Sequence, residues 1–382
     1  VVAEVPARAL TEDTPTYTPP AKEPAYLRTA RSWQQTDLPL PEDYHAVLTK
    51  LLDSPNIASK DWIYQQFDYE AQGNTVVGPG CDAAVLTVPG TDKMIAVSLD
   101  GNSLHCYLDP YQGAAGSVAE AARNVVCVGG RPLGLTNGLN FGSPENPESY
   151  WQLNQAIEGI AAASRALGIP VTGGNVSLYN ETEGKSIYPT PIIGVVGLIE
   201  GDSYCPVGWQ KAGDVILLLG STQEELGGSE YLSVVHGLVT GKLPQLDLEA
   251  ERRLLTLLLD AHEENLLASA HDLSHGGLAV ALVECCLSSG MGAQVELPPD
   301  KIRLDAILFG ETPSRVVVSC SPQRVNKLQE LASEHGVPCL VLGEVGEQEL
   351  VICQDQGEII DMSLKRARDI YSQAIPRRLQ IG

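Results

Sequence analysis

Val171-Thr172-Gly173-Gly174-Asn175-Val176-Ser177-Leu178-Tyr179-Asn180 sits between a long helical pattern and an apolar strand, and the rest of the chain is read from it. Paired glycines let backbone approach a ligand without a Cβ in the way. On a strand, Asn175 and Ser177 are two apart and point to one face. Backbone N–H groups, an amide oxygen and a hydroxyl suit a phosphate-rich ligand with its metal. A tight turn in which Asn bonds its own backbone explains the same letters. The stretch alone leaves both readings open.

Working outward, Pro144 to Gly168 is a helix with Trp151, Leu153, Ala156, Ile157, Ile160, Ala161, Ala163 and Leu167 on its apolar face. Gly168 ends it. A strand through Ile199 follows the central stretch, and Leu135–Gly142 is a strand ending in a polar loop. Asn137 and Asn140 are unusual inside such a run. Residues 115–128 form a helix on which Glu120 and Asn124 are i and i+4, one turn apart on one face. Both offer oxygen ligands to a cation, or they form an exposed polar pair. Val76–Leu86 delivers Asp82 through Gly-rich backbone to the entrance of an apolar strand, as a metal ligand or a turn residue. Met94–Leu99 is a further strand ending in the turn signal Asp100-Gly101-Asn102.

Nearer the start, Val1–Pro6 reads as the end of a strand cut from a longer polypeptide, and the proline-rich stretch after it as an extended linker. Residues 42–53 read as a helix, and Trp62, Ile63, Tyr64 and Phe67 as an aromatic patch of the core. Downstream, composition turns polar across Gly201–Ala212, which marks a domain boundary. Val215–Gly220 is a strand, 248–266 a helix and Ala268–Asp272 a short strand. Asp272 and Ser274 precede paired glycines and a helix running to about Leu287, where Asp272 is an N-cap or a metal ligand. Leu308–Arg315 reads as a polar loop before strand Val316–Cys320, then a helix over 322–334, strands near 339–343 and 350–353, and a polar tail. The expected division is 1–41 as the end of a preceding domain plus linker, 42–203 and 204–355 as two domains, and 356–382 as a tail.

Length 382 and 43% hydrophobic residues fit a globular α/β or α+β protein of two or three domains. A net charge of −23 opposes a nucleic-acid or anionic-membrane surface, although divalent cations let an acidic protein bind a nucleotide. No apolar run reaches the roughly 18 residues of a membrane span. The nine cysteines form no CxxC and read as reduced and buried in a cytoplasmic protein. His271 and His275 straddle a turn, which argues against a zinc pair. No Walker lysine loop, GxSxG, HExxH or Rossmann glycine pattern is present.

Six segments in order carry a resemblance: Gly80–Leu86, Leu139–Glu145, Gly174–Glu181, Tyr188–Pro191, Glu225–Tyr231 and Leu308–Glu311. Together they closely resemble the synthetase subunit of the small, multi-subunit phosphoribosylformylglycinamidine synthases, over nearly the whole chain but only the C-terminal half of that subunit. The family duplicates a two-domain unit like that of aminoimidazole ribonucleotide synthetase. The resemblance implies an α+β first domain with a barrel-forming sheet and an α/β sandwich second domain. It implies ATP-dependent conversion of formylglycinamide ribonucleotide to formylglycinamidine ribonucleotide in purine biosynthesis, with ammonia from a separate glutaminase subunit and a small accessory subunit in the assembly. The N-terminal half of the same subunit would complete the active site.

Carried over by motif, Asn137 and Gly174 meet ATP, Asn175 meets Mg²⁺ and Ser177 meets substrate. The position of Asn137 is often Asp in the family. The catalytic His and main ATP lysine belong to the first copy, so this chain alone should be inactive. The large, single-chain form also holds a structural nucleotide with Mg²⁺ in its second copy. The matching positions are Asp82, Glu120, Asn124 and Asp272, with Ser274 beside the phosphates. His275 stands where Asp is usual, and Glu311-Thr312-Pro313 where the first copy has a substrate-binding Glu-Ser-Gln. The alternative to an enzyme half is a non-catalytic Mg-nucleotide scaffold. Selenophosphate synthetase, in the same superfamily, is disfavoured because its N-terminal reactive Cys/Lys motif is missing.

Overall fold

A computed structural model describes residues 1–379 apart from 202, 300 and 356. The first of two main sheets contains β1 (Thr75–Val77), β2 (Ala84–Thr87), β3 (Lys93–Asp100), β4 (Arg131–Asn140), β5 (Val171–Ser177) and β8 (Thr190–Glu200). Their order is β1-β2-β3-β8-β4-β5, antiparallel except for the β4–β5 pair. The two-residue strands β6 (Glu181–Thr182) and β7 (Lys185–Ser186) form a separate hairpin between β5 and β8.

Helices α5 (Pro110–Cys127) and α6 (Pro147–Leu167) cover one face of this sheet. Asp109 and Asn146 cap them by accepting backbone N–H bonds, each followed by a proline at the first turn. Small residues along α5 let it lie deep among its neighbours. Gly159 of α6 sits so close to α5 that a Cβ there would lie 2.2 Å from the Tyr111 carbonyl oxygen. The other sheet face is uncovered: Leu99, Ile192 and Val196 are 73%, 41% and 41% exposed, while their strand neighbours Ser98, Ile193 and Val195 are buried.

The second sheet contains β9 (Val215–Leu219), β10 (Ser269–Asp272), β11 (Ala293–Leu297), β12 (Val316–Cys320), β13 (Cys339–Val345), β14 (Glu349–Gln354) and β15 (Gly357–Ser363), in the order β10-β12-β9-β13-β11-β14-β15. Only β11 and β14 pair in parallel. Both faces are covered, so central strands are apolar throughout. Leu217 and Leu219 join the core shared with α5, α7 (Leu248–Glu263) and α10 (Val325–Glu334). Ile216 and Leu218 join a second core with α2 (Tyr44–Leu52), α8 (Gly277–Ser289), α9 (Leu304–Phe309) and α11 (Leu364–Leu379). The remaining helices are α1 (Tyr26–Arg31), α3 (Asp61–Tyr64) and α4 (Ser103–Leu108).

Several expectations need correcting. Val1–Pro6 forms no strand, because none of the described residues pairs with it, and a 3₁₀ turn follows at Ala7–Leu10. The proline-rich stretch is not wholly extended, since α1 folds where prolines stop. Trp62, Ile63 and Phe67 are exposed rather than core, because short α3 packs only lightly, on α11. Leu308–Arg315 begins inside α9 and is a loop only from Gly310, where Glu311, Thr312 and Arg315 are buried. Residues 357–379 of the expected tail are β15 and α11, while 356 and 380–382 lie outside the described residues. Six cysteines are buried, Cys339 and Cys353 half-buried and Cys81 exposed, all of them free. Among the described residues no helix is long and apolar enough to cross a membrane.

Candidate functional site

A cavity of about 760 Å³ opens at the seam between the two sheet units. Its walls come from the loop before β2, the end of β3, α5, β10 and the turn into α8, with residues 56–64 and α11 closing the far side. Asp82, Asp100, Glu120, Asn124, Asp272 and Ser274 all line it, so the structure brings together every residue expected at the auxiliary nucleotide site.

The carboxylates divide by their partners. Asp82 Oδ1 lies 2.6 Å from His271 Nδ1, and its Oδ2 accepts the Asp272 backbone N–H at 3.3 Å. Asp272 Oδ1 accepts from Arg123, which also donates to both Glu251 oxygens at 2.8 Å. Asp272 Oδ2 is buried without a hydrogen-bond partner among the described residues. Asn124 donates to both Asp100 oxygens, at 3.3 and 3.2 Å. Burial and then the neighbouring Glu120 push the Asp100 carboxyl well above the ordinary range. Burial pushes Asp272 up to about 7, against the pull of Arg123 and with the push of Glu120. For His271, burial acts downward, but Asp82 and Glu284 overcome it and raise the imidazole well above its usual value.

Among the described residues no three His, Cys, Asp or Glu side chains are already grouped as a metal centre. The donor set nevertheless fits a hard divalent cation. Asp100, Glu120 and Asn124 supply oxygens to one cavity, and the orphaned Asp272 Oδ2 lies buried at its wall. A dication there would relieve the repulsion between Asp100 and Glu120. Asp272 and Ser274 do not cap α8: the cap residue is Gly276, with no side-chain bond. Beside the cavity, Glu311 Oε1 accepts the Glu230 and Gly276 backbone N–H groups at 2.9 and 2.8 Å. That buried carboxylate is a backbone anchor.

Asn137, Gly174, Asn175 and Ser177 lie apart from this cavity, on β4 and the edge strand β5. Asn137 pairs with Gly174, and Gly138 with Asn175. Asn175 and Ser177 therefore share the uncovered face, and Asn137 and Gly174 the opposite one. A Cβ on Gly174 would lie 2.6 Å from Asn137 Oδ1, so glycine leaves room for that amide. The Ser177 hydroxyl accepts from the Asn180 amide at 3.1 Å, and Asn180 also donates to the Phe141 carbonyl at 3.0 Å. Tyr179 takes a left-handed φ of 61°, a conformation that costs roughly 1–3 kcal/mol and clusters at ligand sites. Residues 171–176 of β5 are exposed on both faces of the strand.

The sequence reading missed Asp100, Arg123, His271, Glu284, Lys60 and Tyr371 as parts of the cavity region. Asp100 ends a strand in a turn signal, which hid its carboxylate. Arg123 sits between the flagged Glu120 and Asn124, and its charge inside an apolar helix was the available signal.

Two profiles of AIR synthase related proteins match the chain: the N-terminal domain over residues 80–199 and the C-terminal domain over 211–355. The chain is 48% identical over 377 residues to the phosphoribosylformylglycinamidine synthase subunit PurL of Moorella thermoacetica, covering 98% of this chain and 51% of that protein. It thus spans about half the length of the curated relatives it matches. The fold is shared with Thermotoga maritima PurL complexed with FGAR, at a TM-score of 0.71, 22% identity and coverage of 86% of this chain and 53% of that one. The same protein complexed with ATP superposes at a TM-score of 0.65, 22% identity, 84% of this chain and 52% of that one.

Proposed function

Since the chain belongs to the AIR synthase related family and carries both of its domains, we propose that it is the second half of a small-form phosphoribosylformylglycinamidine synthase subunit. In this reading the whole enzyme phosphorylates the amide oxygen of formylglycinamide ribonucleotide with ATP, and ammonia then displaces phosphate. The products are formylglycinamidine ribonucleotide, ADP and phosphate. Near 50% identity along almost the entire chain to a subunit bearing that enzyme's name is the observation that carries the reading. It disfavours the scaffold as the whole account.

The edge strand then lies within a composite site reached from both of its faces. Asn137 and Gly174 face ATP, Asn175 offers an oxygen to Mg²⁺, and the Ser177 hydroxyl faces substrate. Bound Mg²⁺ would offset the charge of the transferred phosphoryl group. The remainder of that site, with its general acid–base and lysine, would come from the first half of the subunit. The uncovered sheet face supports such a partner, because exposed Leu99, Ile192 and Val196 on one face form the kind of apolar surface that protein interfaces use. Ammonia would arrive from a glutaminase subunit, with a small accessory subunit in the complex. The seam cavity, in the same reading, holds an accessory Mg-nucleotide on Asp82, Asp100, Glu120, Asn124 and Asp272, with Ser274 near its phosphates.

The test is steady-state kinetics of the reassembled enzyme with single substitutions in this half. Ser177→Ala should raise KM for formylglycinamide ribonucleotide by about 10-fold, the worth of one lost hydrogen bond to a charged ligand. Asn175→Ala should lower kcat by a comparable factor and raise the Mg²⁺ requirement. Wild-type kinetics in both variants would refute the assignment.

A further inference from the structure

Asp82 sits on the loop between β1 and β2, where no strand pairing fixes it, yet its side chain is only 3% exposed. A chain of three side chains holds it. The Tyr371 hydroxyl of α11 donates to Glu284 Oε1 at 3.0 Å. Glu284 Oε2 lies 3.1 Å from His271 Nε2, and His271 Nδ1 lies 2.6 Å from Asp82 Oδ1. With a carboxylate on each nitrogen, the imidazole has one orientation and donates on both sides. Tyr371 is itself fixed, because its backbone carbonyl accepts the Ser59 N–H at 3.1 Å. Arg368 of the same helix donates to the Leu287 carbonyl at 2.7 Å, and Arg378 bonds Asp53 at the end of α2. Tyr371 lies beyond residue 355, outside both matched spans of the family.

We propose that Tyr371, Glu284 and His271 are positioning residues through which the docked C-terminal helix sets the orientation of Asp82, and so the affinity of the seam cavity for a cation-bound nucleoside polyphosphate. The ligand part rests on the cavity reading given above. All three also line the cavity, but the role proposed for them runs through Asp82. Each restricts the next, and the restriction ends on a loop carboxylate that has no other side-chain partner among the described residues. Outer partners of this kind are worth 10- to 100-fold in cation affinity at sites where they orient a ligating carboxylate.

Cys81, adjacent to Asp82 and exposed, reports the freedom of the loop. The experiment measures iodoacetamide labelling of Cys81 by peptide mass spectrometry in the full chain, for wild type, Tyr371→Phe, Glu284→Gln and the double variant. Mg-ATP affinity is measured by calorimetry on the same four proteins, and melting temperature controls for general destabilisation. Both single variants should label Cys81 several-fold faster, by more than their melting-temperature change accounts for, and should bind Mg-ATP on the order of 10-fold more weakly. The double variant should be no worse than the more affected single, because both act along one chain. Wild-type labelling rates in both singles, or effects that add in the double, would overturn the relay. A wild-type chain that binds no Mg-ATP would remove the ligand reading, while the Cys81 rates still decide the positioning.

Discussion

Asp100 and Asp272 carry the pH behaviour of the seam cavity. Both carboxyls are raised in the folded chain, Asp272 from 3.8 to about 7, by burial and by Glu120. Between those two values the native state retains protons that the unfolded state has released. Stability therefore falls as pH rises through that window. His271, raised by Asp82 and Glu284, has the same sign: its contribution is full at low pH and is lost as pH climbs past its folded value. Added Mg²⁺ should consequently raise the melting temperature more at about pH 8 than at about pH 5, because a dication replaces the missing protons. An equal shift at both values in differential scanning fluorimetry would contradict cation binding at these carboxylates. At this scale the sequence was partly legible. Asp82, Glu120, Asn124 and Asp272 stood out as oxygen ligands in apolar or Gly-rich settings. Their charge partners did not, because pairing is non-local: Arg123 meets a carboxylate 149 positions away, and His271 one 189 positions away.

Helix α6 was legible at its end, where Gly168 is a clear local stop signal, whereas its start is the Asn146-Pro147 cap, three residues after the Pro144 read from the sequence. The strand β9 was equally plain, as an unbroken apolar run. By contrast α11 and β15 were read as tail, although β15 pairs with the adjacent β14; α11 also packs on α2 and α8, far away in the chain. The aromatic residues around α3 failed in the opposite way, being apolar enough for a core but carried by too short a helix. Packing between elements gives a direct test at Gly159. A methyl there meets the Tyr111 carbonyl oxygen, which is backbone and cannot rotate aside. Gly159→Ala should cost about 1–3 kcal/mol in denaturant unfolding by forcing α5 and α6 apart. A change below about 0.5 kcal/mol, the range of neutral surface substitutions, would show that the contact gives way freely.

The two sheet units are joined through a buried cation. Arg123 on α5 pairs with Glu251 on α7 and with Asp272 on β10, all nearly inaccessible to solvent. Removing it leaves two buried carboxylates unpaired, so Arg123→Ala should destabilise the chain by about 3–5 kcal/mol. A loss under about 1 kcal/mol by urea denaturation would mean that water replaces the guanidinium at little cost. The opposite imbalance marks the outer surface, where one sheet face is helix-covered and the other bare. Leu99→Lys should leave the chain folded, since that side chain faces solvent, but should weaken association with the first half of the subunit. The edge group of Asn137, Gly174, Asn175 and Ser177 borders that same sheet. The composite reading therefore makes one demand: this chain and the first half must each be silent and together be active. The direct measurement is formylglycinamidine ribonucleotide formation from formylglycinamide ribonucleotide, Mg-ATP and ammonium chloride, assayed with each half alone and with both mixed. The account predicts product only in the mixture. Turnover by this chain alone, or none from a mixture that demonstrably associates, would contradict it.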